Sequence, residues 1–321
     1  MNLYYRYARE HDFDGVLRVH SRFRGATEDY NADIRYIWKA VFPCSSATIC
    51  VVMDKDRTEA HQIIGICGCV FVSDEFVTSL KTDMPLLNDF TCLPPMLGGC
   101  SPCISSEQTR FNNSGDGINC YMIEQCYDPH NLTSNEALQL RGFLTCLTYQ
   151  MYRGYHIKEL LSVTHDGILL QRMLNMGASI RREIIVEHMK KLYVIGFSRD
   201  DVVNKEGSYL SQVLMHTQPI LELSPRLQDM LELAVNGRSD DEIACILNIS
   251  THAVKKRWST IYAKTRVILP GLLPADSTDG VRGQEKRAIL MQYISTHPQE
   301  YRPYLPGFKI KKYGYPSKNS G

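Results

Sequence analysis

Residues 46–72 read SATICVVMDKDRTEAHQIIGICGCVFV. Ser46 to Asp54 and Gln62 to Val72 are β-branched and apolar. A charged stretch holding Asp54, Lys55, Asp56 and Arg57 separates them, so an antiparallel strand pair is expected. Working outward, residues 3–8 read as a strand, followed by helical patterns over 12–23 and 30–41. Beyond the pair, Thr82 to Gly117 is rich in Pro, Gly, Ser and Asn and reads as a long excursion. Asn119 to Tyr127 is strand-like. Thr133 to Tyr152 is helical, with Ala137, Leu140, Leu144, Leu147 and Met151 spaced at three and four. Lys158 to Val163 reads as a strand, Ile168 to Met176 as a helix, and Ile180 to Val186 and Lys191 to Phe197 as strands. A polar stretch, 198–217, reads as a linker.

Composition sets limits on this reading. The 321 residues suit two domains, and 44% hydrophobic with 22% charged residues is the balance of a folded globular chain. The longest apolar run, Ile63 to Val72, is too short to cross a bilayer, and Met-Asn-Leu-Tyr-Tyr-Arg holds no apolar signal region. A cytoplasmic location with no membrane partner is therefore expected. Net charge is +1, but residues 221–321 carry 15 Lys+Arg against 10 Asp+Glu, leaving the first 220 residues at −4. Eleven cysteines, an odd count in an expected cytoplasmic chain, argue against a disulfide framework. Cys50, Cys67, Cys69 and Cys146 read as small core residues. Cys92, Cys100 and Cys103 form the one grouping with metal-site spacing, and a Gly/Pro-rich loop that happens to hold cysteines is the favoured reading. Glu124, His165 and Asp166 read as polar residues at strand ends, with no catalytic residue assigned.

Residues 223–264 read LSPRLQDMLELAVNGRSDDEIACILNISTHAVKKRWSTIYAK. Ser224-Pro225 starts a helix, Leu227, Met230, Leu231, Ala234 and Val235 form its stripe, and Gly237 ends it. Ser239-x-x-Glu242 is a capping box for a short second helix, Asn248-Ile249 a tight turn, and Ser250 the cap of a third helix running to about Lys264. That is helix-turn-helix punctuation. Residues 250–266 hold Lys255, Lys256, Arg257, Lys264 and Arg266 and no acid, a composition suited to phosphate contact.

The stretch resembles the LuxR/FixJ/GerE family of bacterial transcription regulators. The residues that carry the resemblance are Leu223, Ser224, Pro225, Arg226, Leu231, Gly237, Ser239, Glu242, Ile243, Ala244, Leu247, Ile249, Ser250, Val254, Lys255, Ile261, Tyr262 and Lys264. It implies a third helix in the DNA major groove, with Lys255, Lys256 and Ser259 facing bases and Thr251, His252, Arg257 and Lys264 meeting phosphates or flanking the groove. Leu227, Ala253 and Thr265 depart from the family's usual Glu, Thr and Leu. Pro270-Gly271 and Pro274 interrupt before a last helical pattern over 284–296, which serves either a dimer interface or packing. The tail, 301–321, sets Lys309, Lys311 and Lys312 beside Tyr313 and Tyr315.

The N-terminal order β-αα-βββ-α-β-α-ββ resembles the GNAT acetyltransferase fold. Asp12-Phe13-Asp14-Gly15-Val16-Leu17, Ile64-Gly65 and Arg153-Gly154-Tyr155 fit it locally. In that family, acyl-CoA pyrophosphate rests on backbone N–H groups of a Gln/Arg-x-x-Gly-x-Gly/Ala loop. Here Asp128 to Glu136 holds no glycine, and Thr133-x-x-Glu136 reads as a capping box that would occupy those donors. Gln139-x-x-Gly142 falls inside the helix. The expectation is therefore a chain with an α/β GNAT-like mixed sheet with flanking helices over 1–197 and a small all-α helix-turn-helix domain over 218–300. It is expected to regulate transcription as a DNA-binding homodimer, not an enzyme, with no cofactor and with a small-molecule or protein effector for its first domain. The alternatives are a GNAT-like acyltransferase carrying a regulatory DNA module and an acyl-homoserine-lactone receptor. The second lacks the receptor's Trp-x-x-x-Tyr-x-x-Asp arrangement: Trp38 is the only Trp before residue 258. A phosphoacceptor receiver domain is disfavoured, because no acidic pair closes a first strand.

Overall fold

A computed structural model describes residues 1–25, 28–84, 103–130, 132–185, 191–203, 211–274 and 283–307. The chain divides into two compact units, Met1–Thr109 with Ile118–His216, and Arg110–Gly117 with Thr217–Gly321.

The first unit is built on one seven-stranded sheet in the order β1-β2-β3-β4-β5-β7-β6. Its strands are β1 (Leu3–Tyr7), β2 (Ala47–Asp54), β3 (Ile63–Val72), β4 (Ile118–Tyr127), β5 (Ile157–Thr164), β6 (Ser179–Ile185) and β7 (Lys191–Ser198). The expected antiparallel pairing of β2 with β3 is present, from Ala47 opposite Val70 to Met53 opposite Ile63. All ten residues of β3 are buried, because helices cover both faces of the sheet; a strand so placed reads as a continuous apolar run. On one face lie α1 (Phe13–Arg24), α2 (Glu28–Val41) and α3 (Asp74–Thr82), packing Val16, Val19, Ile37, Trp38 and Leu80 on Val51, Ile66 and Val70. On the other lies α5 (Ser134–Tyr152), whose Leu140, Leu144, Leu147 and Met151 meet Cys50, Val52, Ile64 and Cys67. This is the GNAT-like mixed α/β arrangement that the element order implied.

Among the described residues only β4 and β5 are parallel, joined by the crossover helix α5. Their successors α6 (Gly167–Met176), β6 and β7 complete the sheet. Asp166, expected as a polar strand-end residue, caps α6 by accepting the Ile168 and Leu169 N–H groups at 2.8 and 3.3 Å. The stretch read as a linker contains α7 (Arg199–Val203) and α8 (Ser211–Leu214), with Val213 and Leu214 in the α5-side core. The expected excursion holds α4 (Ser106–Ser114); Cys92 and Cys100 lie outside the described residues.

The second unit is helical, with α9 (Pro225–Val235), α10 (Asp240–Ile246), α11 (Thr251–Ile268) and α12 (Gly283–Thr296). Ser239 and Glu242 form the expected capping box, and Ser250 accepts the Ala253 N–H at 3.1 Å. Gly237 takes φ +77°, and Asn248 at φ 50° makes the turn between α10 and α11. Leu223, Met230, Leu231, Ile243, Val254, Trp258, Ile261, Leu290 and Ile294 form the core. Arg287 stacks 4.6 Å over Trp258 and bonds Asp240 at 2.7 Å, so α12 closes onto α10 and α11. Residues 110–117 belong here too. Arg110 bonds Gln228 and, at 2.8 Å, Asp229; Asn113 donates to the Pro303 carbonyl, and the Leu305 N–H donates to Ser114.

Candidate active site

The central feature of the first unit is a wedge in its sheet. β4 pairs with β3 along its whole length, but with β5 only from Ile118 to Tyr121. Past Tyr121 and Leu161 the two parallel strands part, while β5 continues to pair with β7 as far as Thr164. Hydrogen bonding alternates along an antiparallel pair. The Asp128 N–H donates to the Ile64 carbonyl at 2.8 Å, so Glu124 and Cys126 turn their backbone groups to β3, and Gln125 and Tyr127 turn theirs to the open side.

 Gly68 pairs with Glu124 and Cys69 with Met122, so Ile123 is an extra residue, a β-bulge at the point where the wedge opens. Among the described residues no strand pairs the open edge of β4 beyond Tyr121.

Beside the bulge lies a buried polar cluster. The Trp38 indole N–H donates to His20 Nδ1 at 3.0 Å, and His20 Nε2 lies 3.0 Å from Glu124 Oε2. An indole N–H can only donate, so Nδ1 accepts, and Nε2 is the ring nitrogen that faces the carboxylate. Arg24 donates to the same Oε2 through Nε at 2.9 Å and Nη2 at 2.6 Å, and the Gln125 N–H donates to Oε1 at 3.0 Å. Burial pushes the Glu124 carboxyl upward, but Arg24 and His20 outweigh it and hold it at about 2. Glu124 is thus a saturated anion at neutral pH and no proton acceptor. It lies within β4, which corrects its expected place at a strand end. Gly68 makes the cluster possible, since a Cβ there would stand 2.8 Å from the Trp38 ring.

At the end of β4, buried Asp128 accepts Arg18 at 3.2 Å, Arg22 at 2.7 Å and the His130 N–H at 3.0 Å. Burial opposes ionisation of Asp128, yet Arg22 and His130 bring its pKa below the usual value. An open pocket of about 440 Å³ follows, lined by Tyr127, Leu132, Thr133, Ala137, Leu138 and Arg141. Arg141 donates to the Tyr127 hydroxyl at 3.0 Å. The expected capping box is formed: Glu136 accepts the Thr133 N–H and hydroxyl, both at 2.8 Å, and the Glu136 N–H donates to Thr133 at 3.3 Å. A carboxylate therefore stands where the resemblance would place a pyrophosphate.

The residues expected to bind DNA are dispersed in their engagements. His252, Lys255, Lys256 and Ser259 are exposed on α11. Lys264 instead bonds the Glu222 carbonyl at 2.6 Å, Arg257 the Arg226 carbonyl at 3.3 Å, and Thr251 bonds Asp241 at 3.2 Å. Of the cysteine grouping, Cys103 is described, bridging β3 at Val72. Among the described residues no group of three or more His, Cys, Asp or Glu is placed to hold a metal, and no helix is long and apolar enough to cross a membrane. The Trp38–His20–Glu124–Arg24 cluster escaped sequence reasoning. Its one signal was a carboxylate inside the apolar run INCYMIEQCY, which demands buried partners.

The chain matches no protein-family model and no curated protein. Solved structures similar to it include FeeM, an N-acyl amino acid synthase from uncultured soil microbes, at 10% identity over 66% of this chain and 94% of that one, TM-score 0.38. Arabidopsis thaliana NAA60 in complex with a bisubstrate analogue has 11% identity over 61% and 98%, TM-score 0.36. A spermidine N-acetyltransferase SpeG chimera from Vibrio cholerae and hSSAT has 8% identity over 64% and 100%, TM-score 0.37. These neighbours correct the functional expectation. Two of them are named as an N-acyl amino acid synthase and an N-acetyltransferase, and the reading as a LuxR-type transcription regulator, with DNA as partner and no enzymatic activity, is withdrawn.

Proposed function

We propose that the first unit is an acyltransferase that takes an acyl thioester of pantetheine into the wedge between β4 and β5 and passes the acyl group to an amine. The observation that carries this reading is the parting of β4 and β5 after Tyr121 and Leu161. Backbone groups of a buried strand need partners, and an extended chain bearing amides can supply them by adding to the strand edge. A pantetheine arm has two amides in a linear chain. Bound along Gln125 and Tyr127, it would run between the bulge at Ile123 and the pocket at Leu132 and Arg141. A further similar structure, described as the NatC complex bound to Gag peptide and CoA, favours the same donor class.

The residues present divide the work unevenly. Backbone N–H groups at the wedge orient the donor and can stabilise charge developing on a thioester oxygen. Glu124 fixes Arg24 and His20 and leaves proton removal to other groups, because its carboxylate is already ionised and filled. The Glu136 carboxylate at the start of α5 disfavours a pyrophosphate, so affinity resides in the pantetheine arm. Titrating the protein with acetyl-CoA and with S-acetyl pantetheine tests this. Saturable binding of both, within about tenfold of each other, is expected; a thioester that binds only through its nucleotide contradicts it.

In fold alone, we read the three capped helices α9 to α11 as a helix-turn-helix arrangement. The Asn248 turn and the Ser239 and Ser250 caps support it.

A further inference from the structure

Cys44 and Cys103 lie 59 positions apart in sequence, beyond the reach of any local motif, yet their side chains meet. Cys44 follows α2, and Cys103 bridges to Val72 at the end of β3. The Ser46 carbonyl accepts the Phe71 N–H at 3.1 Å while the Phe71 carbonyl accepts the Ile104 N–H at 3.1 Å, which draws both segments to the same edge of β3. There the Cys103 thiol hydrogen-bonds the Cys44 sulfur, and Ser46 Oγ lies 3.2 Å from it. Both cysteines are half-buried and neither is in a disulfide.

We propose that Cys44 and Cys103 form a peroxide-reactive pair, Cys44 the attacking sulfur and Cys103 the resolving one. The Cys44 thiolate attacks a hydroperoxide; an S–O bond forms, the O–O bond breaks, and the departing alkoxide or hydroxide takes up a proton. Cys103 sulfur then attacks the Cys44 sulfenic acid, forming the S–S bond and releasing the hydroxyl, which leaves as water with the Cys103 proton. The sulfurs lose two electrons and the hydroperoxide gains them. Thiolate character favours the first step. The Cys103 thiol, opposed by burial and aided by Ser46 and the Ser46 and Ala47 N–H groups, brings Cys44 down to about 5. Its neighbourhood contrasts with the core thiols Cys67, Cys120 and Cys126, which burial pushes up.

The test uses the reduced full chain. One equivalent of hydrogen peroxide is added, remaining thiols are alkylated, and linked peptides are identified by mass spectrometry. The expected first product joins Cys44 to Cys103. Cys103→Ser should hold Cys44 as a sulfenic acid captured by dimedone, and Cys44→Ser should give neither product. On the unmodified chain, iodoacetamide labelling of Cys44 should change about twofold or less between pH 6 and 8, against on the order of a hundredfold for an ordinary thiol. Exposed Cys146 is the internal comparison. A first disulfide joining Cys103 to Cys92 or Cys100, oxidation of Cys146 or Cys245 ahead of Cys44, or a Cys44 labelling rate that climbs with pH like that of Cys146 overturns the proposal.

Discussion

At the residue scale, Glu124 decides how the first unit responds to acid. Its folded pKa, about 2, lies below its ordinary 4.5. A depressed carboxyl stabilises the fold fully above the unfolded value and loses that contribution as pH falls through the folded one. The stabilisation, about 3 kcal/mol from that shift, should be intact above roughly pH 5 and fade between pH 4.5 and 2. Glu124→Gln should lower stability at pH 7 by about 3 kcal/mol, since it leaves Arg24 without its counter-charge, and should flatten the acid limb. Urea midpoints measured from pH 7 to 3 check both; parallel curves for the two proteins would contradict the assignment. Gly68→Ala should cost about 1–3 kcal/mol by pushing on the Trp38 ring, read as a lower midpoint and altered Trp38 fluorescence. Sequence reasoning gave Glu124 its right residue type but the wrong environment. Arg24 and His20 lie 100 and 104 positions before it, and only the packing of α1 and α2 on β4 joins them.

At the element scale, the local signals were legible. Continuous β-branched, apolar runs marked β2 and β3, period-3.6 stripes marked α5, and Thr133, Ser239 and Ser250 marked helix starts, because each of those signals is carried by neighbours in sequence. The wedge was not legible. How far β4 and β5 stay paired depends on the bulge at Ile123 and on the packing of both strands, which no local pattern encodes. Two predictions belong here. Tyr127→Pro removes an N–H that faces the open side, so the β3 ladder survives while the wedge loses a donor; thioester affinity should fall at least about tenfold with far-ultraviolet circular dichroism preserved. Glu136→Gln keeps an oxygen for the cap and removes its charge, and should raise affinity for acetyl-CoA about threefold or more while leaving S-acetyl pantetheine unchanged. Equal changes for both ligands would contradict a repulsive role for Glu136.

At the scale of the whole molecule, the two units have separate cores, and each contains one tryptophan, Trp38 in the first and Trp258 in the second. The split in charge and the change from sheet to helix were visible in the sequence. The membership of residues 110–117 in the helical unit was not, since it rests on bonds from Arg110, Asn113 and Ser114 to residues more than a hundred positions away. Arg110→Ala should lower the denaturant midpoint of the Trp258 signal, by about 1–3 kcal/mol in stability, measured in a Trp38→Phe background so that Trp258 alone reports. The central claim concerns the wedge, and calorimetric titration with S-acetyl pantetheine tests it most directly. Saturable one-to-one binding that Tyr127→Pro weakens at least about tenfold is expected. No binding at millimolar thioester, or binding that Tyr127→Pro leaves unchanged, would contradict it.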